Sequence, residues 1–383
     1  MSPSVTPSTA NHTGANRRRF RATARITSAA AMVGLIASAC SSGTSDTTLH
    51  GAGASTQAPI TTSWQAPYET YAGGQFQYDV VGSGTGVEQF LAGDIDFAGT
   101  DDYLSEEERR IAESTCPGPF GAVNVPTYLS SIGLIYNLPS LEGEQLNLSA
   151  DVIAAIFAGD ITNWNDPAIA RDNPDVELPD LAIVPVHRFD SSGTTENFTE
   201  YLSAAAPDAW TYGEFSNWTE SGPAGESAVY SGGTAQVVGA AEGSIGYVDV
   251  TQAGGLPVAA IEAGDGFVLP TDESVTEAYG LATPAYPNEA LDFAVDFDRT
   301  PESDTAYPLA MLSYTVVCLQ YDDLDTANAV SSYLYFVQTD EAQEIASAVA
   351  GAVPLDVETT ERIGAVSESI GTVTPASAPE LIA

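Results

Sequence analysis

The stretch LAIVPVHRFDSSGTTENFTEYLSAAA (Leu181–Ala206) reads as a strand, a tight turn and a helix. LAIVPV is a short apolar run of strand type, and ENFTEYLSAAA follows as a helix-like run. Between them HRFDSSGTT (His187–Thr195) gathers one arginine, one aspartate and four hydroxyls around a glycine. Such a turn presents backbone N–H groups at a helix N-terminus, where unpaired donors and the helix dipole favour an anion. Arg188 adds a planar fork suited to phosphate oxygens, and Asp190 reads as the partner that orients it. The implied chemistry is anion capture, with phosphate the leading candidate.

The same rhythm runs through the chain. QFQYDVV (Gln75–Val81) alternates like a strand and leads through GSGTG (Gly82–Gly86) into the short helix VEQFLAG. IDFAGT (Ile95–Thr100) is a second strand, ending at Asp101 and Asp102, and Ser105 three residues before Glu108 marks a capped helix start. VNVPTYLSSIGLIYN (Val123–Asn137) contains strand-like segments, Ser149–Gly159 a helix, and GSIGYVDV (Gly243–Val250) a strand. An apolar strand over Leu309–Tyr321 precedes two closing helices. Strands alternating with helices at this spacing predict an α/β fold.

Three junctions share one design: GAGAST before a helix from Ala58, GSGTG before one from Val87, and DSSGTT before one from Glu196. Each places hydroxyls and flexible backbone at a helix N-terminus, so three helix ends could converge on one anion. A Gly/Ser turn alone is more often a structural cap. None matches the dinucleotide spacing, since Thr56 and Val87 stand where a third glycine is needed, and a lysine-free chain has no Walker-type loop. His187, Asp190 and Ser192 sit too close along one turn for hydrolase triad geometry, and no GxSxG elbow is present. Asp101 and Asp102 read as a turn after a strand rather than a metal site, and three scattered histidines offer no ligand cluster.

Residues 1–40 read as an export signal: NRRRFRATAR (Asn16–Arg25) is basic, and SAAAMVGLIASA (Ser28–Ala39) is too short to span a bilayer. ASAC ending at Cys40 resembles a lipoprotein cleavage site, with Cys40 as the lipidated N-terminus; an ordinary cleavage site is the alternative. Arg17-Arg18-Arg19-Phe20 fits a twin-arginine signal or simply a positive leader. Residues 41–49 read as a flexible tether. Five of the eleven arginines lie in the leader, so the mature chain sets six arginines against 52 acidic residues, a net −46. That charge excludes nucleic-acid binding and adhesion to anionic lipid, and suits an exported protein kept soluble in high salt. Cys116 and Cys318 could form a disulfide in an oxidising compartment or remain two buried thiols.

Several pieces together resemble the phosphate-specific substrate-binding lipoproteins of ATP-driven phosphate importers. They are GAGAST…APITTSW (Gly51–Trp64), GSGTGVEQF (Gly82–Phe90), IDFAGTDDYLS (Ile95–Ser105), IFAGDITNWNDPAIARDNPDVELP (Ile156–Pro179), VHRFDSSGT (Val186–Thr194) and GSIGYV (Gly243–Val248). The resemblance covers Gly51 to about Ala350. It implies a two-lobe periplasmic-binding-protein-like fold of type II with a hinge and a cleft between the lobes. The first lobe would comprise residues 50–137 and 308–383, the second 138–307, with crossings near Asn137 and Tyr307. A Cys116–Cys318 disulfide would then staple two chain segments of one lobe.

The resemblance further implies that Ser55, Thr56 and Ser83 supply donors, and that Asp101 accepts a hydrogen bond from a protonated phosphate oxygen. Arg188, held by Asp190, pairs with the anion, and Ser192, Gly193 and Thr194 close the site. The family usually has phenylalanine where this chain has Thr56; if that position acts through its backbone N–H, binding survives the change, while the local apolar wall does not carry over. A carboxylate that needs a donor accepts phosphate and repels unprotonated sulfate. The implied protein is a lipid-anchored, monomeric, non-enzymatic receptor without cofactor or metal. It delivers inorganic phosphate to the permease subunits of an ABC transporter on the outer face of the membrane. A secreted phosphatase on the same fold, or a binder of another oxyanion, are the alternatives.

Overall fold

The computed structural model describes residues 47–141 and 143–371. The expected export signal, Cys40 and residues 41–46 of the expected tether lie outside the described residues. Apolar strands that alternate with amphipathic helices must bury both sheet faces, and the chain does so in order. The first stretch runs β1 (Thr48–Gly53), a 3-10 turn (Ser55–Gln57), α1 (Ala58–Ala72), β2 (Gln75–Val80), α2 (Ser83–Ala92), β3 (Phe97–Thr100), α3 (Glu106–Thr115) and β4 (Ala122–Tyr136). Next come β5 (Asn147–Leu148), α4 (Ala150–Ala158), α5 (Pro167–Asp172), β6 (Val184–Arg188), α6 (Gly193–Ala205), α7 (Trp218–Ser221), β7 (Glu226–Ala228), α8 (Tyr230–Ala240) and β8 (Ser244–Asp249). After β9 (Ala260–Ala263), β10 (Gly266–Val268), α9 (Asp272–Leu281), β11 (Thr283–Pro284) and β12 (Val295–Asp296) comes the apolar β13 (Ala310–Cys318). Three helices close the described chain: α10 (Leu324–Val337), α11 (Asp340–Ala350) and α12 (Val357–Ser369).

The main sheet has the order β2-β1-β3-β13-β4-β8-β6-β7. Strands β2, β1 and β3 are parallel, as are β8, β6 and β7, and the antiparallel pair β13 and β4 separates the two groups. The 15-residue β4 serves both halves, pairing β13 up to Ser131 and β8 from Ile132 onward. Every residue of β4 and β13 is buried, as expected of strands covered on both faces. On one side Trp64, Tyr68, Phe76, Phe97, Tyr333 and Phe336 pack among α1, α10 and the sheet. On the other, Phe157, Phe198, Trp218 and Tyr247 form a second aromatic core. Cys116 and Cys318 form a disulfide across 202 residues of chain, joining the end of α3 to the end of β13.

The expectations need four corrections. The tether ends sooner than residue 49, because Thr48 and Leu49 already pair with Gln75 and Phe76 and Leu49 is fully buried. Val123–Asn137 holds one long strand rather than several segments. Three helices follow β13 rather than two, with Thr339 capping α11 and Asp356 capping α12 as separate helices. Two of the three Gly/Ser motifs are not turns ahead of helices, whereas GAGAST does precede a helix from Ala58. Helix α2 starts at Ser83 and α6 at Gly193, so the motif residues are themselves the first helical turn.

Candidate functional site

Parallel α/β sheets place binding groups beyond the C-terminal ends of their strands. Here five strand ends converge: Ser55 follows β1, Ser83 follows β2, Asp101 follows β3, Arg188 ends β6 and Ser231 follows β7. The side chains of Ser55, Thr56, Ser83, Asp101, Arg188, Ser192, Thr194 and Ser231 are all buried. Gly193 allows the two sides to meet, since a Cβ there would lie 2.9 Å from the Asp101 carbonyl carbon and the Asp102 nitrogen. Gly84 does the same opposite Ser191, whose hydroxyl would be 2.2 Å from an added Cβ.

The cationic side is built around Arg188, 1% exposed. Its Nε donates to Asp190 Oδ1 at 2.9 Å and its Nη2 to Asp190 Oδ2, a bidentate pair that fixes the guanidinium plane. Nη2 also donates to Ser55 Oγ at 3.2 Å, and Nη1 to Ser231 Oγ at 3.1 Å and Thr194 Oγ1 at 3.4 Å. Asp190 therefore orients the arginine. Asp190 also accepts from the Tyr230 N–H at 2.9 Å.

The acceptor side is built around Asp101. Thr56 Oγ1 lies 2.7 and 2.8 Å from its two carboxylate oxygens, Ser313 Oγ donates to Oδ1 at 2.7 Å, and Thr194 Oγ1 lies 3.3 Å from Oδ2. Burial pushes the Asp101 carboxyl up; the Thr56 and Ser313 hydroxyls and the Arg188 charge pull it back only in part. Because the Thr56 hydroxyl has a single proton to share, the carboxylate retains acceptor capacity on Oδ2. Its backbone is held as well: the Asp101 N–H donates to Ser83 Oγ at 3.4 Å, and Asn197 Nδ2 donates to the Asp101 carbonyl at 2.8 Å.

Four helical starts meet at this point, at Ser55, Ser83, Gly193 and Tyr230, and none has a side-chain cap. Ser192 stands at the N-cap position of α6, is buried, and its hydroxyl has no partner among the described residues. The first-turn amides of α2 and α6 and this hydroxyl stay available as donors among the described residues, whereas at α8 the Tyr230 and Ser231 N–H groups are taken by Asp190 Oδ1 and Ser55 Oγ.

His187 lies apart from this cluster. Its ring stacks on Trp218 at 5.2 Å and its Nδ1 faces the Arg188 carbonyl at 3.0 Å, so it forms no triad with Asp190 and Ser192. Asp102 points elsewhere too: it lines a cavity of ≈ 500 Å³ beside Ser83 and Asp101, together with Glu106, Glu108, Glu196, Glu200 and Glu214. Burial, then repulsion from Glu108, pushes Glu196 up to about 7, and burial with Glu196 pushes Asp102 up as well. Among the described residues no group of three or more His, Cys, Asp or Glu could hold a metal ion.

The structure brings together Ser55, Thr56, Ser83, Asp101, Arg188, Asp190, Ser192, Gly193 and Thr194. The sequence reading missed Ser313, Ser231 and Asn197. Ser313 sits where the β13–β4 register shifts, opposite the stretch Pro126–Tyr128, and such a bulge re-aims a side chain. A serine within the apolar run LAMLSYTVVC was its only sequence signal.

A two-lobe α/β fold with a buried anion-type site beyond its strand ends defines the class of extracellular binding proteins. The model of the PBP superfamily domain matches residues 38–341. The chain is 36% identical over 292 residues to the phosphate-binding protein PstS3 of Mycobacterium bovis, covering 75% of this chain and 77% of that one. It is 33% identical over 325 residues to the phosphate-binding protein PstS of Pasteurella multocida, covering 83% and 89%. The chain belongs to the PstS family of phosphate-binding proteins. Its fold is shared with a phosphate-binding protein from Stenotrophomonas maltophilia (TM-score 0.66, 22% identity, 83% of this chain and 93% of that one). It is also shared with an ancestral soluble variant of the human phosphate binding protein (TM-score 0.67, 21% identity, the same coverage).

Proposed function

We propose that this chain captures inorganic phosphate outside the cell membrane and hands it to an ATP-driven import permease, acting as a monomeric, non-enzymatic receptor anchored through a lipid on Cys40. Arg188 pairs with the anion while Asp190 keeps its plane fixed. Ser55, Ser83, Ser192 and Thr194 contribute hydroxyls, and the amides of Thr56, Gly193 and Thr194 contribute N–H donors. Asp101 accepts a hydrogen bond from the oxygen that stays protonated on phosphate at neutral pH. Residues 50–137 with 308–383 form one lobe and 138–307 the other, and they close on the ligand by a hinge where β4 and β13 run between them.

The observation that carries this reading is a buried arginine and a buried carboxylate with acceptor capacity facing one set of uncapped helix starts. An oxyanion without a proton satisfies the arginine and the amides but leaves the carboxylate opposite an unprotonated oxygen. Phosphate satisfies all three. The Thr56 hydroxyl is engaged with Asp101, so Thr56 serves the ligand through its backbone and the carboxylate through its side chain.

The test is calorimetric titration of the chain from Ser41 onward, unfolded and refolded to strip bound anion, with phosphate and then sulfate. Tight one-to-one phosphate binding without sulfate heat is the expected result. Equal binding of both makes the site a general oxyanion site, and absence of phosphate binding by verified refolded protein overturns the reading.

A further inference from the structure

Among the described residues, Tyr230 is the one non-glycine residue with positive φ, at 64°. L-residues avoid that region, and one stays there only when its surroundings over-determine it. Three contacts do so. The Tyr230 N–H donates to Asp190 Oδ1 at 2.9 Å, on the carboxylate that orients Arg188. The left-handed turn starts α8 at once, so the next residue, Ser231, meets Arg188 Nη1 with its hydroxyl and Ser55 Oγ with its N–H at 3.4 Å. The tyrosine hydroxyl donates to the Val80 carbonyl at 2.8 Å, across 150 residues of chain.

That last bond has a topological meaning. Tyr230 follows β7 by two residues and Val80 ends β2, and these are the two edge strands of the eight-stranded order. The bond therefore ties the far ends of the sheet to each other across the cleft. Val80 also lies two residues before Gly82, the residue that precedes α2, so the contact reaches the helix start that carries Ser83. A hydrogen bond between opposite sides of a cleft exists only while they are together. It lowers the free energy of the closed state and leaves the open state unchanged.

We propose that Tyr230 is a positioning residue of the anion site: a latch across the cleft that holds the closed state around bound phosphate while its backbone braces Asp190 and starts the helix that orders Arg188. This rests on the reading of the cleft as a phosphate site. Its signature is kinetic. Losing the latch speeds release and leaves association unchanged, because the encounter takes place in the open state.

The experiment follows release of radiolabelled phosphate chased with unlabelled phosphate, and the dissociation constant by calorimetry, for the mature chain and for Tyr230→Phe and Tyr230→Gly; the association rate follows from the two. Tyr230→Phe is expected to raise koff about five- to tenfold with kon within about twofold of the parent. Glycine adopts positive φ freely and keeps the N–H on Asp190, so Tyr230→Gly is expected to raise koff at least as far without lowering the thermal midpoint. Unchanged koff in both variants of a phosphate-binding parent overturns the latch alone. A fall in kon accompanied by a lowered midpoint overturns it in favour of a purely structural tyrosine. A parent that binds no phosphate overturns the phosphate reading and the latch with it.

Discussion

Helix starts in this molecule fall into two sets. Helices α3, α5, α9, α10, α11 and α12 begin under a side-chain cap, from Ser105, Asp166, Thr271, Asp323, Thr339 and Asp356 in turn. The four starts that meet at the cleft carry none, although Ser192 stands at the cap position of α6 with its hydroxyl unpartnered. Of the other three uncapped helices, α1 continues directly from the 3-10 turn that starts at Ser55, α4 has an N–H on Glu262 at 3.3 Å and α7 is a single turn. The same residue types thus do opposite work. At the periphery a hydroxyl or carboxylate satisfies its own helix; at α2 and α6 the donors stay available, which has a stability cost in the empty protein that a bound anion would offset, while at α8 they brace Asp190 and Ser55. A chain carrying −41 of net charge needs this arrangement, because its overall field repels anions and only local donors attract them.

The largest effect is expected at the charge that the uncapped starts surround. Arg188→Met removes the cation and leaves the half-buried Asp190 without its arginine, so phosphate affinity should fall by about a thousandfold or more and the thermal midpoint should drop. Calorimetry with a melting curve checks both. Retention of affinity would mean that the helix starts alone hold the anion. Asp101→Asn comes next: phosphate should weaken about ten- to a hundredfold, while sulfate should begin to compete, because an amide can donate to an unprotonated oxygen. Competition titration reads this directly, and continued sulfate rejection would remove the discriminating role from Asp101.

A matched pair then separates the two sets of helix starts. Ser192→Ala deletes a hydroxyl without a partner, so the empty protein should keep its midpoint while phosphate affinity falls about tenfold. Asp356→Ala deletes the cap of α12, which receives the Thr359 N–H at 2.7 Å. It should lower the midpoint by about 2 °C, from a cost of about 1 kcal/mol, and leave phosphate affinity unchanged. If the two variants behave alike, the division between reserved and satisfied starts does not hold.

What could be read from the sequence follows the range of the interactions. Arg188, Asp190, Ser192, Gly193 and Thr194 sit on one strand–turn–helix unit, so local pattern was enough to find them. Asp101 ends an apolar strand, and its acceptor role came from the family resemblance rather than from spacing. Ser313 was invisible because its aim depends on a register shift against a strand nearly two hundred residues away. Ser231 starts a helix whose signal, YSGGTAQVV, resembles a loop until β7 positions it. Thr56 was read as a donor to the ligand. Its hydroxyl bond to Asp101, 45 residues on, depends on tertiary contact that no local pattern shows. Helix starts were misplaced by up to four residues because the Gly/Ser motifs read as turns, whereas uncapped first turns need the same flexible residues.

The smallest effect on binding, and a distinct one on stability, is expected at Glu196, which stands in the first turn of α6 yet faces the acidic cavity rather than the anion site. A carboxylate in the first turn normally gains from the helix dipole. Here burial, with repulsion from Glu108, Glu200 and Glu214, outweighs that gain and raises Glu196 from 4.5 to about 7. Between those values the native state holds a proton that the unfolded chain releases, so stability must fall as pH rises from 4.5 to 7. Asp249, raised by burial from 3.8 to about 6, adds a fall of the same sign over its own lower window. Glu196→Gln should therefore flatten the upper part of the profile and make the variant more stable than the parent above pH 7, with the Asp249 part left in place. Phosphate affinity at pH 7.5 should change less than about threefold, because Glu196 donates nothing to the anion and lies among other carboxylates that keep the field negative. Melting curves every half unit from pH 4.5 to 8 decide the matter. A parallel, unflattened profile in the variant would mean that the cavity carboxylates stay charged in the native state and that the raised value belongs to their neighbours.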